Sequence, residues 1–304
     1  MKAKTKILAS LLLGIVISIA IKLLLPSPEQ NKALVDEFWI SKTHANNRNN
    51  VVFGGDSRIY RGISTKAFTK QFNGKITAYN FGYSSAGFSK DYLTFLENKL
   101  DSSATIKIII LGITPHSLTP NALLSEDLNT YSTISNFKKY QGLYLSPVLK
   151  HFSPYQPSEL KTYLFEEKPS NYYQQKYNSD GWVASNKIPG DTSEAITSYL
   201  SVFNENKVDE SAINGLIQQV KYWNTKGISV FGFRPPTTTE MRTIEDSLSG
   251  FNDELIILSF KKAGGKWIEL DSKKFKSYDG SHLRKESAEE LSEILGKEVV
   301  KALQ

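Results

Sequence analysis

The run IKIIILGI, Ile106 to Ile113, constrains the fold of this 304-residue chain more than any other segment. Apart from Lys107 it is apolar throughout and rich in isoleucine, so a strand here is buried on both faces. Strands of that kind belong to parallel sheets covered by helices, which is an α/β architecture. Four further apolar runs repeat the theme: NVVFGG ending at Gly55, KITAYNFG ending at Gly82, ISVFGF ending at Phe233 and KWIEL ending at Leu270. Helical patterns alternate with them. STKAFTKQF carries Ser64 as an N-cap, and SKDYLTFLENKL brings Tyr92, Phe95, Leu96 and Leu100 to one face. DESAINGLIQQVKYWNTKG reads as a helix stopped by Gly227, and DSLSGFNDELIILSFKKAGG as one helix with a Gly-Gly stop. A last helix is expected from Lys285 to Ala302.

The expected fold is a flavodoxin-like, doubly wound, mainly parallel five-stranded sheet over residues 51–304. One stretch breaks the pattern. Thr114 to Asp191 is rich in Tyr, Pro, Ser and Asn and reads as an irregular insertion with short helices. It either covers an active site or packs on the sheet edge. In open α/β sheets, reactive residues collect beyond the carboxyl ends of the strands. GGDSR, NFGYSS, LGITPHS, GFRPP and YDGSHL all fall at or after those ends.

The N-terminus has a different character. ILASLLLGIVISIAIKLLL, Ile7 to Leu25, holds 19 residues with Lys22 as the only charge. As a helix it would extend about 28 Å, close to the thickness of a bilayer core. Lys2, Lys4 and Lys6 precede it, which by the positive-inside tendency keeps the N-terminus in the cytoplasm and the rest of the chain outside. A cleaved signal peptide is disfavoured because KLLLPSPEQ offers no small-x-small cleavage site. The expected organisation is a cytoplasmic tip and single-pass anchor in 1–26 and a linker in 27–50. The linker has helical character around ALVDEFWIS, and an extracytoplasmic domain follows.

Composition removes several function classes. There is no cysteine, which excludes disulfides, thiol catalysis and thiolate metal sites. The net charge of +6 favours anionic partners such as a membrane surface or an acidic polymer. The lysines are dispersed and form no basic stripe, so nucleic acid is not an expected partner. No metal-ligand cluster and no phosphate-cradling glycine loop is visible, and no cofactor is expected.

A serine hydroxyl is a weak nucleophile until a base takes its proton, and that base is usually a histidine oriented by a carboxylate. The chain has four histidines, His44, His116, His151 and His282. His282 alone has a carboxylate three residues before it, in Asp279-Gly280-Ser281-His282. In a turn leading into a helix, that spacing brings Asp279 against Nδ1 and turns Nε2 toward the sheet edge. Ser57, in VVFGGDSR, leaves the first strand at that edge. The catalytic candidates are therefore Ser57, Asp279 and His282.

VVFGGDSR resembles the first sequence block of the Ser-Gly-Asn-His hydrolases, also called GDSL-like lipases and esterases. YDGSHL resembles their last block. The resemblance spans Val51 to the C-terminus with the insertion unmatched. It implies that Ser57 is the nucleophile, His282 the general base and then acid, and Asp279 its orienting partner. It also implies an oxyanion hole built from Ser57, Ser85 and Thr114. NFGYSS places Ser85 where the family's second block has glycine, and GITP places Thr114 where the third block has asparagine. Arg58 and Arg61 flank the nucleophile as candidates for an anionic substrate, and Arg234 and His116 follow strand ends as further substrate-binding candidates. Tyr172, Tyr173, Tyr177 and Trp182 of the insertion either stack on sugar rings or form an aromatic mini-core.

An anchor followed by such a domain is similar to a membrane-bound subset of the family. Its members O-acetylate alginate or peptidoglycan, or help attach D-alanine to teichoic acids. The resemblance implies a serine O-acyltransferase or esterase acting on a cell-envelope glycan beside a multi-span membrane acyltransferase. The rival expectation is a non-catalytic subunit of an envelope-polysaccharide complex that has kept the fold. A soluble cytosolic lipase would require the apolar span to be something other than an anchor.

Overall fold

The structure is a computed structural model and describes residues 3–24, 32–46, 48–149, 172–271 and 274–304. Residues 25–31, which end the expected anchor and begin the expected linker, and 150–171 of the expected insertion lie outside the described residues, as do His151 and the side chain of Tyr172. The chain divides into two compact units, Met1–Ala45 with Ile134–Tyr172, and Asn46–Thr133 with Tyr173–Gln304.

In the first unit, α1 (Ala3–Leu24) is a helix of 22 residues. Its stretch Ala3–Ala20 has a mean hydropathy of 1.8, and no part of it is buried against the protein. It is long and apolar enough to cross a membrane. A second helix, α2 (Lys32–His44), packs in the same unit against the helical turns that follow Asn136.

The second unit carries the sheet. β1 (Val51–Gly55), β2 (Ala78–Asn80), β3 (Ile108–Gly112), β6 (Ser229–Phe233) and β7 (Lys266–Trp267) run parallel in the order β2-β1-β3-β6-β7. Leaving out a separate hairpin, this is the 2-1-3-4-5 order of a flavodoxin-like doubly wound sheet. Alternate residues face opposite layers. Val51, Phe53, Ile108, Ile110, Phe231 and Phe233 form one core with Leu291, Leu295 and Val299 of the C-terminal helix (Lys285–Leu303). The other face lies under Leu96, Phe260 and Trp267, which approach the backbone at Gly54 and Gly232. β1 and β3 are buried at every position, as an apolar run without alternation requires.

Two local expectations are corrected. DSLSGFNDELIILSFKKAGG is not one helix but the end of Thr239–Leu248 and all of Asp253–Lys262. Gly250 adopts φ +78, a conformation that ends the first helix, and the Asn252 side chain caps the second by accepting from the Leu255 N–H. The insertion, expected to be irregular with short helices, also contains a hairpin of β4 (Tyr172–Tyr177) and β5 (Val183–Ile188). Trp182, Val183 and Ala184 are buried. Trp182 and Ala184 join the main core, which is more than an isolated aromatic mini-core.

Candidate active site

β1 ends in two glycines, and the second permits the turn that presents Ser57. Gly55 has φ +145, and a Cβ there would lie 2.7 Å from the Gly112 carbonyl on the neighbouring strand. The chain then enters a short helix, α3 (Ser57–Gly62), capped by Asp56, whose Oδ1 accepts from the Arg58 N–H at 2.9 Å. The far end of α3 is tied down by Asn80 at the end of β2. Its Nδ2 donates to the carbonyls of Ile59 and Ile63 at 2.8 and 2.9 Å. Gly82 lets that segment press onto α3, since a Cβ would sit 2.4 Å from the Tyr60 nitrogen. Ser57 is thus the first residue of a helix gripped at both ends.

The other half comes from the loop before the C-terminal helix. Asp279 Oδ1 accepts from the N–H groups of Ser281 and His282 at 2.9 and 2.7 Å. Its Oδ2 lies 2.7 Å from His282 Nδ1, and His282 Nε2 lies 2.8 Å from Ser57 Oγ. Burial works against the Asp279 charge, but the bonds from His282 and Ser281 outweigh it and hold the carboxyl down to about 2. An ionised Asp279 accepts from Nδ1–H, which leaves the Nε2 lone pair to receive the Ser57 proton. Tyr278 stacks on the imidazole with ring centres 5.9 Å apart, so the base is held by its carboxylate and one aromatic face. The three residues singled out as catalytic candidates are therefore brought together in hydrogen-bonding order.

Burial lowers the His282 pKa, the nearby Arg61 cation lowers it further, and Asp279 opposes both. The net direction is below the ordinary value of 6.5, so the neutral base persists to lower pH than free histidine allows. If Ser57 is acylated through His282, the acid limb of that reaction is expected to be centred below pH 6.5. A pH–rate profile with p-nitrophenyl acetate checks this, and an acid limb centred above 6.5 contradicts it.

Three candidates have other roles. Thr114 is fully buried, and its hydroxyl donates to Asp56 Oδ2 at 2.5 Å while accepting from the Ser117 N–H at 3.1 Å. Its one proton is committed to the carboxylate that caps α3, so the Thr114 hydroxyl supports the turn before Ser57 and is not free to donate to an oxyanion. Arg58 is 4% exposed and turns inward. Its Nε donates to Ser281 Oγ at 2.9 Å, and its Nη2 makes a close charge contact with Glu245 Oε1 at 2.6 Å, out of line for a hydrogen bond. Arg234 is surrounded by carboxylates, with Glu245, Asp246 and Asp253 at 2.9, 2.7 and 2.5 Å. A substrate anion would compete with three acids already in place. Neither arginine is a substrate ligand. Arg58 instead ties the helix that begins at Ser57 to Ser281, the residue before His282.

Ser85 and His116 share a wall of one open cavity of about 420 Å³ with Asn121, Ala122, Leu124, Glu126 and Asp127. Ser85 is exposed and holds a left-handed backbone, φ +49, which is uncommon for a residue with a side chain. His116 is half-buried beside Tyr199, and burial lowers its pKa. Among the described residues no group of His, Asp and Glu is arranged to hold a metal ion.

Sequence reasoning missed Glu245, Tyr199 and Ser281. Glu245 had a legible signal: it lies one helical turn from Met241, on the buried face of Thr239–Leu248, where an unpaired acid is costly. Tyr199 carried no signal. It comes from the helix Ser193–Glu205, lies beneath the Arg58 guanidinium at 5.2 Å and hydrogen-bonds with Ser281 Oγ at 3.3 Å.

No known family profile matches the chain, and no curated protein does. Among solved structures it is similar to a protein from Streptococcus pneumoniae described as a platelet activating factor. Identity is 12% over 89% of this chain and 92% of that one, with a TM-score of 0.38. It is also similar to a protein from Bacteroides fragilis described as an acylhydrolase, at 9% identity over 91% of this chain and 100% of that one, with a TM-score of 0.37. Likeness at this level carries no weight for function, which rests on the side-chain geometry above.

Proposed function

We propose that the protein is a membrane-anchored serine esterase or O-acyltransferase of the Ser-Gly-Asn-His type, working on acyl groups of a cell-envelope glycan outside the cytoplasmic membrane. The observation that carries this reading is the chain Ser57 Oγ, His282 Nε2, His282 Nδ1, Asp279 Oδ2, with links of 2.8 and 2.7 Å. As Ser57 Oγ attacks an ester carbonyl carbon, its proton passes to His282 Nε2. The imidazolium that forms is stabilised by ionised Asp279. The tetrahedral oxyanion is received by the Ser57 N–H, which has no intrahelical partner at a helix start, and by the Ser85 N–H. His282 then gives its proton to the departing alcohol, leaving an acyl group on Ser57. Water or a sugar hydroxyl, deprotonated by the same histidine, takes that group and restores the serine.

The membrane half of the reading rests on α1 and on Lys4 and Lys6 near its start. A multi-span membrane acyltransferase is the proposed source of acyl groups for a transfer reaction. The full-length protein in detergent should react with a fluorophosphonate probe, and the Ser57→Ala protein should not. A folded wild-type protein that takes up no label overturns simple serine-hydrolase chemistry. It would favour the second reading, a non-catalytic subunit with this fold, for which the commitment of the Thr114 hydroxyl to Asp56 speaks.

A further inference from the structure

The helix that presents the nucleophile carries two arginines with opposite circumstances. Arg58 is matched by Glu245 within the protein. Arg61 is not: among the described residues no carboxylate lies within ion-pair distance of it. It stands four residues after Ser57, one turn along α3 and on the same face.

Arg61 is enclosed by phenols instead of acids. Its Nη1 donates to the Tyr278 hydroxyl at 3.0 Å, and its guanidinium carbon lies 5.1 Å from the Tyr60 ring and 5.9 Å from the Tyr173 ring. Burial pushes the Tyr60 phenol up to about 12 and raises that of Tyr278 as well, so neither supplies a negative charge at neutral pH. The Arg61 backbone is also pinned, because its carbonyl accepts from Trp182 Nε1 at 2.9 Å. The same Tyr278 stacks on His282, so one ring separates this cation from the general base. A half-buried arginine with no counter-charge among the described residues is costly for the empty protein, and an anion arriving with a substrate offsets that cost.

We propose that Arg61, walled by Tyr60, Tyr173 and Tyr278, is a subsite for an oxyanion on the substrate, a carboxylate or a phosphate, held one helical turn from Ser57. This rests on the reading of Ser57 as the acyl-accepting serine and narrows the substrate to an ester that carries a carboxylate or a phosphate. The planar guanidinium suits either group, and the tyrosines shield the pair from water and raise its strength.

The test uses the full-length Ser57→Ala protein in detergent, which holds an ester without cleaving it. Calorimetry with 4-acetoxybenzoate, 4-acetoxyphenyl phosphate and the neutral 4-acetoxybenzamide gives the three affinities. At least one anionic ester is expected to bind about 10- to 100-fold more tightly than the amide, the range for a hydrogen-bonded charge pair. The tighter of the two anions names the group, carboxylate or phosphate. Adding Arg61→Gln should reduce the preference to within about twofold, while Arg61→Lys keeps part of it. Raising the salt concentration should weaken the anions and not the amide, a readout that needs no arginine variant. Equal affinity for all three esters, no measurable binding of either anion, or a preference that survives both Arg61→Gln and high salt overturns the inference. Fluorophosphonate labelling of the wild type reports separately on Ser57, so the two claims fail independently.

Discussion

His282→Ala is expected to slow ester cleavage by about 10⁵- to 10⁶-fold, nearly as much as removing the whole triad. The reason is the geometry at Nε2. Ser57 Oγ has a base at 2.8 Å, and without it the hydroxyl must attack while still carrying its proton. The residual rate over water would come from the oxyanion donors and substrate positioning. Asp279→Asn separates orientation from basicity. The asparagine carbonyl can still accept from the Ser281 and His282 N–H groups, which hold the loop. Its NH₂ group would then face Nδ1 and favour the tautomer with the proton on Nε2, which cannot receive another. A loss of about 10⁴-fold is expected for this variant. The double variant Ser57→Ala with His282→Ala should be little worse than either alone, because the residues act as one unit. Single-turnover rates with an activated ester check all four proteins. A loss of only tenfold in His282→Ala would remove the histidine from the mechanism.

Glu245→Gln is expected to destabilise the fold by about 3–5 kcal/mol, the usual cost of stranding buried charge. The Glu245 side chain is fully buried between Arg58 and Arg234, whose side chains are 2% and 5% exposed. Burial works against the Arg58 charge, yet Glu245, Tyr199 and Asp56 keep it firmly protonated, so losing the carboxylate does not neutralise the arginine. For a protein of this size the shift corresponds to a melting temperature lower by roughly 10 °C. Calorimetric melting of the second unit's transition measures it, and a change below about 1 kcal/mol would show that the cluster relaxes freely. A catalytic effect should accompany the loss of stability. Once Arg58 is free to move, its Nε no longer fixes Ser281, and the loop bearing Asp279 and His282 loosens.

The sheet was legible because β1, β3 and β6 are short apolar runs ended by glycine or a polar turn, a pattern that depends on neighbours in the chain alone, whereas β2 and β7 are the shorter Ala78–Asn80 and Lys266–Trp267 within KITAYNFG and KWIEL. The β4–β5 hairpin was not. YYQQKY and VASNKI carry too many amides and lysines to read as strands, and pairing across the Asn178–Trp182 turn is what makes them so. The Ser57, Asp279 and His282 set was readable because two local motifs fall at known places in the strand order. Thr114, Arg58 and Arg234 were misread for one shared reason. Each stands at a strand end where a ligand could bind, and each is already satisfied by a buried acid on another element, Asp56 or Glu245. One-dimensional spacing does not reveal which buried charges pair.

The bond between Ser57 and His282 spans 225 positions of chain. A chain that emerges N-terminus first therefore displays its serine long before its base exists. At usual synthesis rates that interval is roughly 10–45 s for the 225 residues. During it the hydroxyl has the reactivity of any free serine and takes no acyl group from donors it meets. On the proposed reading, reactivity would appear only when the last loop and helix dock against α3. Covalent chemistry at Ser57 would thereby be restricted to chains that have reached His282, and a chain cut short anywhere before residue 282 would be chemically silent.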